Sequence, residues 1–185
     1  MHFDSKAYGV AVESILALEG DGARLLELAS PVCSPEAART LLSTKSAPDL
    51  FPDAAHPAEA LAGLWIYFGC FDEAHQVTQD LHSAEGSYWH AILHRQEPDP
   101  SNAIYWFHRV GRHAIFTELQ IAANHILASH PDAGFTLKSE WDPKAFIEFC
   151  ESVRGKPGSS GEKAAKQIQL AEWQLLFHHC ARRPE

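Results

Sequence analysis

Apolar residues recur every three to four positions along almost the whole chain, the spacing of helices with one buried face. "SKAYGVAVESILALEG" opens on a capping Ser5, spaces Val12, Ile15 and Leu16 along one side and places Gly20 as a stop. "ARLLELA" predicts a short second helix. "SPEAARTLLS" predicts another, with Ser34 at the N-cap, Pro35 at the first helical position and Glu36 in the first turn. "TKSAPDLFPDAAHP", with three prolines, reads as surface coil held by one or two apolar anchors. Helical spacing resumes in 57–70 and, after a turn near Gly69, in 71–81. It returns in 83–96, 99–111, 116–131, 141–155 and 162–183. Asp99-Pro100 and Asp142-Pro143 are cap-and-first-turn pairs, and Gly111 is a stop. Residues 155–161 read as a flexible linker before the C-terminal helix. No apolar–polar alternation and no Asn-Gly or Asp-Gly turn signals a strand pair. The pattern therefore predicts an all-α single domain over 1–185. It has about nine helices, arranged as antiparallel hairpins in a compact bundle or short solenoid.

A faint internal echo supports the hairpins. Residues 60–74 lie over 89–103, pairing Ala62 with Ala91, Leu64 with Leu93 and Ala74 with Ala103. In "GLWIYFGCFDEAHQV" and "EPDPSNAIYWFHRVG" the chain resembles tetratricopeptide or Sel1-like hairpins, where a small residue lets two helices approach. A longer block is more specific: Gly86–Ile92, His94, Arg95, Glu97–Asp99, Ser101–Ala103, Tyr105–Phe107 and Arg109–Gly111. It resembles a family of uncharacterised bacterial and fungal proteins carrying "GSYWHAI-HR-EPD-SNA-YWF-RVG". That resemblance covers residues 60–120 and implies no activity.

Charge and cysteine spacing narrow the class. The net charge of −9 argues against nucleic acid as a partner, since phosphate contacts need a basic face, although a total leaves a local basic patch open. No run of about twenty apolar residues is present to span a bilayer, so no membrane partner is expected. "MHFDSKAYGV" lacks a signal-peptide pattern. Cys33, Cys70, Cys150 and Cys180 are far apart with no CxxC pair, which predicts buried free thiols in the cytoplasm.

Chemistry concentrates in "SYWHAILHRQEPDPSNAIYWFHRVGRH", residues 87–113. On a helix His90 and His94 share one face, one turn apart. This is the spacing of two zinc ligands, but Ala91, Ile92 and Leu93 replace the glutamate base of His-Glu-x-x-His. A metal needs a third protein ligand. Counting back around the turn at 82–86 brings His75 level with His94, and Glu97 or Asp99 adds a carboxylate. His75, His90 and His94 are thus candidate ligands for a divalent metal such as zinc, nickel or iron.

A second reading uses the cations. Asn102, Trp106 and Arg109 form one stripe, Arg95 and Arg109 can grip carboxylate or phosphate bidentately, and the aromatic rings can wall a ligand. Internal pairing of these arginines with Glu97, Asp99 or Glu85 is the competing outcome. Ser87 lacks a Gly-x-Ser-x-Gly elbow and reads as a helix-start cap, and His178 and His179 read as solvated at a helix end. The sequence thus favours a binding protein over an enzyme. Its expected partner is a small anionic molecule held by His90, His94, Arg95, Asn102, Trp106 and Arg109 between helices 87–96 and 101–110. A metal-dependent enzyme and a helical-repeat module binding a protein partner are the alternatives.

Overall fold

A computed structural model describes residues 3–29 and 32–183. Among the described residues there are ten α-helices and no strand. They are α1 Val10–Leu16, α2 Glu36–Ser43, α3 Ala47–Leu50, α4 Pro57–Tyr67 and α5 Phe71–Thr78. There follow α6 Ala84–Gln96, α7 Pro100–Val110, α8 Phe116–Ala128, α9 Pro143–Val153 and α10 Ser160–Ala181. The pairs α4/α5 and α6/α7 are the expected helical hairpins, and α10 packs across α4, α8 and α9. No helix of the described residues is long and apolar enough to cross a membrane.

Several boundaries follow local chemistry. Asp99 and Asp142 cap α7 and α9, accepting hydrogen bonds from the amides of Asn102 and Ala145 at 3.1 Å each. Gly111 ends α7 at φ 64°, a left-handed conformation that a side chain resists. Ser159 caps α10, so Ser160 and Gly161 of the expected linker are helical.

Five local expectations are corrected. Residues 23–29 form no helix. Distant side chains take up the carbonyls of this segment instead: Gln96 donates to Glu27 at 2.9 Å, Gln169 to Glu27 at 3.0 Å and Arg154 to Leu28 at 2.9 Å. Leu26 and Leu28 are buried by the same docking. Pro35, not Ser34, is the N-cap of α2, because the Ser34 amide donates to the Phe68 carbonyl at the end of α4. The proline-rich segment contains α3, closed by a reciprocal Ser46/Asp49 capping box, while Leu50 and Phe51 serve as its apolar anchors. Asp4 caps the first turn in place of Ser5. Ser83 caps α6, and Ser87 lies buried within it.

The thiol expectation also fails for one pair. Docking of the 32–35 segment against α4 brings Cys33 to Cys70, with Cα atoms 4.3 Å apart, and the two form a disulfide. Cys150 and Cys180 are free and buried.

Trp89, Trp173, Tyr67, Tyr88, Phe146 and Phe177 dominate the core. Trp173 stacks on Phe177 at 4.9 Å and donates its indole N–H to the Gly63 carbonyl at 2.8 Å. Gly63 is required by the close approach of two other rings: a Cβ there would stand 2.8 Å from Trp89 and 3.1 Å from Phe177.

Candidate functional site

Helix α6 sorts its polar residues onto different sides. His90 and His94 face α5 and α7, whereas Arg95 faces α9 and α10. A helix turns about 100° per residue, so Arg95 cannot share the histidine face. It is fully buried, and both its terminal nitrogens reach the carboxylate of Glu172, one of them at 3.3 Å. Tyr88 donates to the same carboxylate at 3.0 Å, and the guanidinium lies 4.7 Å from the Phe146 ring centre. Burial opposes the Arg95 charge, and the Glu172 carboxylate outweighs it, holding the pKa above the ordinary value. Arg95 is therefore part of the core. It does not join the expected anion site, and its partner is none of the acids considered from the sequence.

The histidines do converge. His75 of α5 lies edge-on to His90 and His94, with ring centres 4.9 and 5.3 Å away, and His90 stacks over His94 at 5.0 Å. One ring nitrogen from each lies within 4.8 Å of those from the other two. Ligand atoms about 2.0–2.1 Å from a zinc ion stand roughly 3.4 Å from one another. Small ring rotations therefore separate this cluster from a coordination shell. Glu97, just past the end of α6, reaches His75 Nε2 at 3.0 Å and His94 Nδ1 at 3.1 Å. A carboxylate hydrogen-bonded to a ligand imidazole, as Glu97 is to His75, is the usual means of orienting it toward a metal. Asp99 is committed to capping α7, so Glu97 is the carboxylate of the cluster.

His90 is the most enclosed of the three, at 6% exposure, and its Nδ1 is buried without a hydrogen-bond partner. Burial, reinforced by His75 and His94, lowers its pKa to about 4 and keeps the ring neutral near pH 7. Burial likewise lowers the His94 value, against the opposing pull of Glu97. The indole of Trp106 lies flat on His90 at 4.0 Å and 12°, closing one side of the cluster.

The remaining predicted residues lie along α7. Arg109 is exposed and stands 5.1 Å over the Trp106 ring. Asn102 donates its side-chain amide to Asp99 at 2.7 Å. A shallow cavity of about 210 Å³ along α7 is lined by Ile104, Phe107 and His108, not by the Asn102–Trp106–Arg109 stripe.

A second convergence was not anticipated. Glu85 in the first turn of α6 receives His179 Nε2 at 3.1 Å, His113 Nε2 at 3.6 Å and His56 Nε2 at 3.7 Å, all on Oε1. His113 and His179 hold the Glu85 carboxyl well below the usual carboxylate range. The expectation that His178 and His179 are solvated is corrected by this packing. His179 points at Glu85, and His178 Nδ1 meets the Tyr8 hydroxyl at 3.0 Å. His56 and His113 lie outside the helices, so no periodicity in the sequence relates them to Glu85. No family model, curated protein or solved structure matches the chain.

Proposed function

We propose that the protein binds a divalent transition metal through His75, His90 and His94, with Glu97 orienting the imidazoles. The observation that carries this reading is the mutual approach of three ring nitrogens from α5 and α6 within 4.8 Å. The orphaned, buried Nδ1 of His90 adds to it, because a polar atom without a partner is costly unless something fills its place. Imidazole suits zinc, nickel and iron(II). Three protein ligands leave a coordination position for water or a substrate atom, as catalytic sites do and closed structural sites do not. The Trp106 indole would wall that position on one side.

Titration of untagged protein with zinc(II), followed by calorimetry, tests the reading. A saturable site present in the wild type should be lost in His90→Gln and in His94→Gln. Titrations unchanged in both variants would overturn it.

A small anion remains a second reading because of Arg109. This exposed guanidinium has no carboxylate partner among the described residues and sits over Trp106, which itself covers His90. An anion completing the metal shell would lie on that side. Arg109→Ala should then weaken inorganic phosphate or acetate binding to the zinc-loaded protein without changing zinc affinity. The cytoplasmic location expected from the spaced cysteines requires Cys33 and Cys70 to stay reduced in the cell, and the disulfide favours an oxidising compartment instead.

A further inference from the structure

We infer a second metal site of different composition, in which His56, His179 and Glu85 are the ligands and His113 positions the carboxylate. One ligand atom from each of His56, Glu85 and His179 lies within 4.8 Å of the others. The two histidine-to-carboxylate distances, 3.7 and 3.1 Å, bracket the roughly 3.4 Å edge of a tetrahedral shell. The imidazoles of His56 and His179 lie nearly parallel, 5.7 Å apart at 17°. Two imidazoles and one carboxylate with open positions are the ligand set of non-haem iron(II) and of hydrolytic zinc centres.

Three separate parts of the chain build the site, and each is fixed. Glu85 stands in the first turn of α6 behind the Ser83 cap. His179 belongs to the last turn of α10. His56 is the N-cap residue of α4, and its amide donates to the Cys180 carbonyl at 3.0 Å. The neighbouring Ala55 amide donates to Arg182 at 2.8 Å, so the His56 segment is tied to the end of α10. Exposures of 32%, 13% and 22% for His56, Glu85 and His179 leave one side open for an ion and its water to enter.

His113 is a positioning residue. Its Nδ1 accepts from the Ile115 amide at 3.3 Å, which places the ring proton of the neutral form on Nε2. That N–H is aimed at Glu85 from 3.6 Å, beyond a hydrogen bond, and the side chain is only 3% exposed. Nε2 of His113 is accordingly a buried donor without a partner. Rotation of the Glu85 carboxylate toward an ion between His56 and His179 offers its second oxygen to this waiting donor. That contact would give the buried Nε2 of His113 its acceptor.

Cobalt(II) is the probe, because its visible bands report coordination number. In untagged protein carrying His75→Gln and His94→Gln, one equivalent of cobalt(II) should still bind. Adding His179→Gln or Glu85→Gln should abolish that binding, and His113→Phe should weaken it by roughly 10–100-fold. A doubly substituted chain that keeps its helical circular dichroism and takes up no cobalt(II) would overturn the inference. If that chain does not fold, zinc(II) is added to the wild type and ring nitrogen resonances are followed. Shifts at His56 and His179 support the site, and unmoved resonances overturn it. Failure of the His75/His90/His94 reading is seen separately, as a wild-type stoichiometry that His75→Gln and His94→Gln leave at one.

Discussion

Arg95 and Glu172, 77 positions apart in sequence, form a fully buried ion pair between α6 and α10. The pair joins α6, which supplies His90 and His94 to one cluster and Glu85 to the other, to α10, the longest helix among the described residues. Breaking a buried pair from one side leaves a charge without a partner, which costs about 3–5 kcal/mol. Glu172→Leu and Arg95→Met should each lower stability by about that amount in urea denaturation. The double substitution Arg95→Met/Glu172→Leu should recover part of the loss, because no buried charge is left and only the Tyr88 hydroxyl loses its acceptor. Simple addition of the two single losses would show that the pair is not coupled.

Gly63→Ala tests the approach of α4 to the core. The added methyl would meet the rigid rings of Trp89 and Phe177 at 2.8 and 3.1 Å. Overpacking of this kind costs about 1–3 kcal/mol, and a thermal melt should show a lower Tm. Higher helix propensity favours alanine by only about 1 kcal/mol, so a raised Tm would contradict the close contact.

Asp142 links stability to pH. The Lys138 ammonium and then the Ala145 amide hold its carboxyl below the usual value. A depressed folded value stabilises the protein above the unfolded Asp value of about 3.9, and that contribution is lost as pH falls through the folded value. Asp142→Ala should cost about 1 kcal/mol at pH 7, mostly as a lost cap. The difference from wild type should shrink below about pH 4. A difference that stays constant down to pH 2 would remove the charge from the explanation.

Thiol counting tests the disulfide. Burial pushes the Cys150 thiol up to about 12 and raises Cys180 as well, so neither should react with Ellman's reagent in folded protein. Denatured, unreduced protein should show two thiols, and reduced protein four. Closing a separation of 37 residues contributes about 2–4 kcal/mol, so reduction should lower the Tm by an amount on the order of 10 °C. Four thiols without reduction would return Cys33 and Cys70 to the free state expected from their spacing.

Helix class and hairpin pairing were legible because they depend on local signals. The Asp99-Pro100 and Asp142-Pro143 starts, the Gly111 stop and the four-residue step from His90 to His94 each act within one or two turns. His75 was also within reach, since a short turn limits how two adjacent helices can align. Residues 23–29 went the other way: a helical pattern was overridden by side-chain donors up to 143 positions distant. No local rule anticipates such donors.

The sequence by itself determined which segments coil and which side chains share a stripe, because backbone hydrogen bonds and periodicity are short-range. Tertiary structure decided which stripes meet. It gave Arg95 to Glu172 and paired Cys33 with Cys70. It also drew His56, His113 and His179 from three separate regions onto one oxygen of Glu85. Each of those outcomes depends on packing between elements distant in sequence, where burial and charge act through space rather than along the chain.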